Sequence, residues 1–208
     1  MSWEQDTLKQ ALRIGLPVGL DRLVTSSAYV AFTRIVSPLG TIAIAANSFG
    51  ITAESLCYMP GYGVQSAAVT LIGQSIGAKR HDLTYRLGVL TTILGIGLMT
   101  CSGLFMYFGS PLMMSLLSPD PSIVILGVQI LQIEAFAEPM YGASIVVAGV
   151  LQGAGDTLSS SLMNLISMWC VRIPLAALLA GNYGLRGVWF AMAFGIKCSW
   201  NFIFVSIV

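Results

Sequence analysis

The chain has 208 residues, of which 56% are hydrophobic and 9% are charged, and its formal net charge is +1. Soluble domains carry about 25% charged residues, so this composition excludes a water-soluble globular protein and predicts an integral membrane protein. A net charge so close to zero, without a basic stripe, argues against a nucleic-acid partner. The four cysteines lie far apart in apolar stretches, which favours neither a metal site nor a disulfide.

Residues 1–13 are polar, and no small-residue cleavage site follows the first apolar run, so a cleaved signal peptide is not expected. The rest of the chain predicts an all-α membrane protein in which each span needs about 20 apolar residues. Breaks rich in proline, glycine, serine and aspartate divide it into six predicted spans, at about 14–36, 42–78, 83–108, 122–152, 158–180 and 184–208.

Basic residues predict the orientation of these spans, because cytoplasmic loops carry an excess of lysine and arginine. Five basic residues fall on one side: Lys9, Arg13, Lys79, Arg80 and Arg86. Two basic residues, Arg186 and Arg34, fall on the other side of the membrane, with Arg34 close to the membrane surface. The asymmetry predicts a cell-membrane protein with both termini in the cytoplasm, which makes residues 1–13 a cytoplasmic segment.

The second and fourth predicted spans are longer than a simple crossing. The second has 37 residues, about 55 Å of straight helix, against a hydrocarbon layer of roughly 30 Å. It therefore either projects into the cytoplasm or bends, and Pro60, flanked by Gly61 and Gly63, marks the expected bend. Pro139 marks a similar position in the fourth span, and we expect these residues to act in bending and gating.

Polar residues recur on one face of the second span. Glu54, Tyr58, Gly61 and Gln65 are spaced i, i+4, i+7 and i+11, which places them on a single helical face. A carboxylate that faces lipid costs about 2.5–3.5 kcal/mol, so Glu54 is expected to face a partner or a water-filled cavity.

Further ionisable residues occur in the other spans. Asp21 lies in the first span, Glu134 and Glu138 share a face of the fourth, and Arg172 lies in the fifth. Two ionised carboxylates at i and i+4 repel each other, so one glutamate is expected to hold a proton or to meet a cation. The alternative is that the charges pair within the bundle, with Arg172 or Lys197 bound to Glu134 or Glu138.

Four blocks of the sequence resemble the multidrug and toxic compound extrusion (MATE) transporters. They are GLPVGLDRL, the long block from FTRIVSPLGT to IGQSIGAKR, EPMYGASIVVAGVLQGAGDT, and VRIPLAALLAGNYGLRGVWFAMAFG. The similarity extends from about Leu12 to the C-terminus and matches the second half of the family better than the first. It implies that this chain forms one six-helix lobe of a two-lobe transporter.

The resemblance also implies a function. Such transporters export organic cations in exchange for Na⁺ or H⁺ by alternating access. The resemblance implies three partners: the lipid bilayer, a cationic drug, and either a missing N-terminal lobe or a second copy of the chain. It implies no cofactor; the coupling ion is Na⁺ or H⁺. Thr25 and Tyr141 occupy two places where some members carry coupling carboxylates. Coupling would then depend on Glu54 and on the missing lobe.

Two other functions remain open at this point. A flippase for lipid-linked saccharides shares the two-lobe plan but would need a cavity of net positive charge. An inactive fragment or membrane-embedded interaction partner is the non-transport alternative. An enzyme is not expected, because the sequence has no HExxH, GxSxG or Ser–His arrangement.

Overall fold

The protein is described by a computed structural model that covers Gly15, Gly19 and residues 23–207, without the side chains of 158–160, 163 and 196–207. Asp21, a predicted site residue, lies outside the described residues. The described chain is a bundle of helices. The first, α1, covers residues 23–36. It is followed by α2 (Thr41–Gly77), α3 (His81–Leu117), α4 (Pro121–Ala135), α5 (Glu138–Gly153), α6 (Thr157–Ile166) and α7 (Ile173–Ile207).

Helix α2 passes through Pro60 as one continuous helix of 37 residues. Helix α3 also contains a proline, Pro111, and continues to Leu117, past the predicted end of the third span at residue 108. A proline inside a helix removes only one backbone hydrogen bond, and in a membrane bundle neighbouring groups can compensate for that loss. The prolines therefore do not end these two helices.

The fourth predicted span is broken in the structure. Helices α4 and α5 meet at an angle of 56° across Phe136 and Ala137. Pro139 follows immediately, in the first turn of α5, where its missing N–H has no helical partner to lose. The proline thus allows the chain to start a new helix in a different direction.

Two other interruptions lie near the C-terminal end. Residues Ser167–Arg172 form a π-helical segment between α6 and α7. Within α7, Gly184 adopts φ 60° and ψ −144°, which separates the helix before it from the helix after it. Only glycine adopts this conformation without strain, so Gly184 forms the turn between the last two spans.

Two glycines on α5 allow it to approach α2 closely. A Cβ atom added to Gly149 would lie 2.7 Å from Gln65 Cγ, and one added to Gly153 would lie 2.7 Å from the Val69 carbonyl oxygen. Small residues let helices approach in this way in lipid. By length and hydropathy, His81–Leu117 and Asn164–Gly195 are apolar enough to cross a membrane, and so is the bent α4–α5 pair if it counts as one span.

Candidate functional site

Three carboxylates are buried together in the centre of the lobe. Glu54 projects from the middle of α2, Glu134 from the last turn of α4, and Glu138 from the first residue of α5. Their relative exposures are 9%, 2% and 1%, respectively. The break between α4 and α5 thus separates two of the carboxylates, and the third faces them from α2.

These carboxylates influence one another and one arginine electrostatically. Glu54 interacts with the charges of Glu134, Glu138 and Arg172, and Glu134 interacts with Arg172 as well. We call Glu54, Glu134, Glu138 and Arg172 the central cluster. Three acidic groups and one basic group give it an excess of potential negative charge.

No member of the central cluster forms a direct ion pair with another described residue. Arg80 and Asp82 form an ion pair at 3.1 Å, but they lie outside the cluster. Glu134 Oε2, both carboxylate oxygens of Glu138 and Arg172 Nε are buried without a hydrogen-bond partner. The predicted pairing of Arg172 with either glutamate is therefore absent, while Lys197 has no described side chain.

Arg172 is held at the end of the π-helical segment. Its side chain lies against Gly195 of α7, where an added Cβ would be 3.1 Å from Arg172 Nε. The Ser167 hydroxyl donates a hydrogen bond to the Gly195 carbonyl oxygen at 3.1 Å. Because Gly195 has no side chain, the guanidinium stem can pass between the last two spans. π-Helical turns of this kind are frequent at functional sites.

Tyrosines lie beside the central cluster. The ring of Tyr58 makes edge contacts with Tyr62, at a centroid distance of 5.5 Å, and with Tyr141, at 6.2 Å. Tyr29 of α1 interacts electrostatically with Glu54 and with both α2 tyrosines. Sequence reasoning did not select Tyr62, although its i+4 spacing from Tyr58 was a usable signal. The predicted residues Tyr58 and Tyr141 are brought together.

The C-terminal part of the predicted polar face of α2, at Gly61 and Gln65, has another role. Gly61 packs against Met99 of α3, and Gln65 packs against Gly149 of α5. These two residues therefore contribute to helix contacts. Pro60 and Gly63 are exposed, and nothing lies within 4 Å of a Cβ added to Gly63.

The described residues contain no group of three or more His, Cys, Asp or Glu side chains arranged to hold a metal ion.

A family model described as MatE matches residues 17–178, which is most of the chain. The chain belongs to the MatE (MATE) family. Two curated relatives, both named probable multidrug resistance protein NorM, are similar along nearly the whole chain. The protein from Pseudomonas aeruginosa is 30% identical over 203 residues, which cover 92% of this chain and 41% of the relative. The protein from Thermotoga maritima is 28% identical over 190 residues, which cover 88% and 40%.

Solved MATE structures have the same fold. The bent form of the Vibrio cholerae MATE transporter VcmN matches with a TM-score of 0.89 at 17% identity, covering 97% of this chain and 46% of that one. An inward-facing multidrug resistance MATE transporter matches with a TM-score of 0.86 at 18% identity, covering 96% and 47%. The chain thus spans about two-fifths of the length of the curated relatives and corresponds to one lobe of a membrane-embedded MATE transporter.

Proposed function

We propose that this chain is the C-terminal half of a cation-coupled multidrug antiporter that exports organic cations by alternating access. We further propose that it lies in the cell membrane with both termini in the cytoplasm, as the distribution of basic residues predicts. The names of the curated relatives, which are multidrug resistance proteins, support the substrate class. The excess of acidic groups in the central cluster supports a positively charged substrate.

The observation that carries the proposal is the set of three buried carboxylates that form no direct ion pair with a described residue. A buried charge without a partner costs several kcal/mol, so such groups persist where a mobile cation or a proton can complete them. Among the described residues, Arg172 supplies one positive charge to the cluster, so two of the three carboxylates have no fixed counter-charge from this part of the chain. A proton, Na⁺ or a cationic drug can supply the missing charge.

Exchange follows if the coupling ion and the drug compete for the same negative field. Each ligand shifts the equilibrium between two conformations only through its different affinity for them. Tyr58, Tyr62 and Tyr141 offer aromatic faces to an organic cation, a contact worth about 0.5–2 kcal/mol. The 56° break between Glu134 and Glu138 gives the fourth span a place where a change of angle alters the distance between the two carboxylates.

The proposal includes a partner lobe, either an N-terminal half or a second copy. One face of α2 is available to it, because four small or polar residues on that face are exposed in this lobe: Ser66, Thr70, Gly73 and Gly77. Among the described residues, nothing lies within 4 Å of a Cβ added to Gly77. Small residues at such a face permit close contact with another helix in lipid.

The proposal is tested by the binding of an organic cation to the purified chain. Tetraphenylphosphonium should bind, and Glu134→Gln and Glu138→Gln should each weaken binding by about tenfold, the factor for losing a favourable interaction with a charged group. Arg172→Gln should strengthen binding, because it removes a competing positive charge. Asp82→Asn is the matched control, since Asp82 is exposed and lies outside the cluster.

Transport is measured with the chain co-expressed with a six-helix N-terminal half. We expect dye export that depends on a Na⁺ or H⁺ gradient and that falls in the two glutamine variants. Equal binding by the native chain, Glu134→Gln and Glu138→Gln would contradict the proposed role of the cluster.

The two alternatives predict other outcomes of the same measurements. A flippase for lipid-linked saccharides would bind an anionic pyrophosphate ligand better than tetraphenylphosphonium, and its binding would weaken in Arg172→Gln. The excess of acidic groups in the central cluster disfavours that ligand. An inactive interaction partner would bind neither ligand and would give no export when combined with an N-terminal half.

A further inference from the structure

A large groove lies on the side of α4 that faces away from the central cluster. It is lined by residues of α4 and of the α4–α5 break, by Tyr107 of α3, and by residues of both helical parts of α7. Its volume is about 1030 Å³. Gln132 and Phe136 line it, whereas Glu134, halfway between them in sequence and on the other helical face, points to the carboxylates. The groove is therefore separate from the proposed cation site.

Gly50 of α2 gives a reference level for the positions of the groove residues along the helix axes. A Cβ added to Gly50 would lie 2.8 Å from Ile130 Cδ1 and 3.1 Å from Trp189 Cζ2, so the side chains of Ile130 and Trp189 converge at Gly50, which serves as the reference level. At a rise of 1.5 Å per residue, Arg186 lies about 5 Å from this level on the side of Gly184. Gln129, one residue before Ile130 in α4, lies close to the reference level.

The deep end of the groove is aromatic. Phe136 and Phe194 lie about 8–9 Å from the level of Ile130, on the side away from Gly184. Phe136 is 75% exposed and Phe194 is 60% exposed, and Leu175 also lines the groove. The lining thus has Arg186 and Tyr183 at the end near Gly184, the two glutamine amides in the middle, and aromatic and aliphatic side chains at the deep end.

Two polar groups in the groove have no described partner. Gln129 Oε1 is buried and accepts no hydrogen bond, although Gln129 lines the groove. Arg186 is exposed and forms no ion pair with any described residue. The side-chain NH2 groups of Gln129 and Gln132 can donate hydrogen bonds to the ester carbonyl oxygens of a ligand, and the Arg186 guanidinium can donate to an anionic group.

We propose that the groove binds a glycerophospholipid from the leaflet on the side of Gly184. The phosphate would lie at Arg186, whose planar guanidinium matches phosphate oxygens. The glycerol ester region would lie deeper than the phosphate, at the amides of Gln129 and Gln132. The acyl chains would lie deepest and cover Phe136 and Phe194. The positive charge of Arg186 disfavours an organic cation as the occupant. The inference requires only that the lobe is embedded in a membrane.

The test uses the purified chain in mixed micelles with two photoreactive lipids that carry the same diazirine-labelled acyl chains. One is a phosphatidylcholine and the other is a diacylglycerol, which has no phosphate. Labelled peptides are mapped by mass spectrometry. We expect the label on segments 129–137 and 186–194, with phosphatidylcholine labelling them about tenfold more than diacylglycerol, the factor for one hydrogen bond to a charged group.

Two arginine variants show whether the phosphate is recognised at Arg186. Arg186→Gln should bring the labelling ratio of the two lipids close to one. Arg34→Gln, the matched control, removes another exposed arginine near the same end of the lobe and should leave the ratio unchanged. Ala193→Trp, which fills the groove, should reduce labelling by both lipids; circular dichroism of each variant checks the fold.

The proposal is overturned if the native chain labels equally with both lipids, or if Arg34→Gln lowers the ratio as much as Arg186→Gln does. It is also overturned if the label avoids both segments, as it would if a second copy or another protein covered the groove. None of these results depends on drug binding, so failure of the lipid site and failure of the proposed transport function are distinguishable.

Discussion

Helix α5 contacts α2 through a glycine that leaves no room for a side chain, and this contact predicts the sign of a stability change. In Gly149→Ala, the new Cβ would lie 2.7 Å from Gln65 Cγ and 2.9 Å from the Gln65 carbonyl oxygen. Favourable contacts between heavy atoms lie at about 3.5–4.0 Å, so the two helices must separate by roughly 0.5–1 Å. The carbonyl oxygen belongs to the backbone of α2 and cannot avoid the contact by a rotamer change.

The magnitude follows from two opposing terms. Alanine is favoured over glycine inside a helix by about 1 kcal/mol. Overpacking of a close contact costs about 1–3 kcal/mol. We therefore expect Gly149→Ala to lower the free energy of unfolding by about 1 kcal/mol, near the middle of the range that the two principles allow.

The assay is reversible unfolding of the purified chain in mixed micelles, followed by circular dichroism during a titration with sodium dodecyl sulfate. Gly97→Ala is the matched control, because Gly97 lies inside α3, is exposed and has nothing within 4 Å of an added Cβ. This control should be stabilised by up to about 1 kcal/mol, the propensity term alone. Equal stabilisation of both variants would refute the close contact between α2 and α5.

Two further predictions concern α2. Trp189 Nε1 donates a hydrogen bond to Asn47 Oδ1 at 3.0 Å, and a double-mutant cycle with Asn47→Ala and Trp189→Phe should give a coupling of about 0.6–1.7 kcal/mol in the same unfolding assay. A coupling of zero would show that the bond contributes nothing. Gly63→Ala, at an open position, should stabilise the chain but slow dye export if Gly63 permits α2 to bend; unchanged export would exclude that role for it.

The helical class and the membrane environment follow from local sequence properties. Few charges, long apolar stretches and clusters of turn residues restrict each segment to one kind of structure, because backbone groups in lipid must be satisfied within the segment. The sequence marked Pro60 and Pro139 alike as bend positions, but only the span at Pro139 is interrupted, whereas α2 continues through Pro60. The list of ionisable residues in the spans is also a property of composition, and it contains every member of the central cluster.

Helical spacing predicts which residues share a face, but it does not predict which neighbour covers that face. Glu54 and Gln65 follow one spacing, and yet Glu54 reaches the central cluster while Gln65 packs on Gly149. Both residues lie beside α5, but Glu54 meets the buried Glu138 there, whereas Gln65 meets a glycine, Gly149. Crossing positions depend on the packing of side chains from distant segments.

The sequence by itself determined that this protein is a bundle of membrane helices carrying several acidic groups and a few basic ones. Only the tertiary structure decided that Arg172 lies near the glutamates without pairing, that Tyr62 joins Tyr58 and Tyr141, and that a groove opens behind α4. The physical reason is that these features depend on the rotation and contact of whole helices. A small rotation changes every neighbour of a side chain and leaves the local pattern of its own helix unaltered.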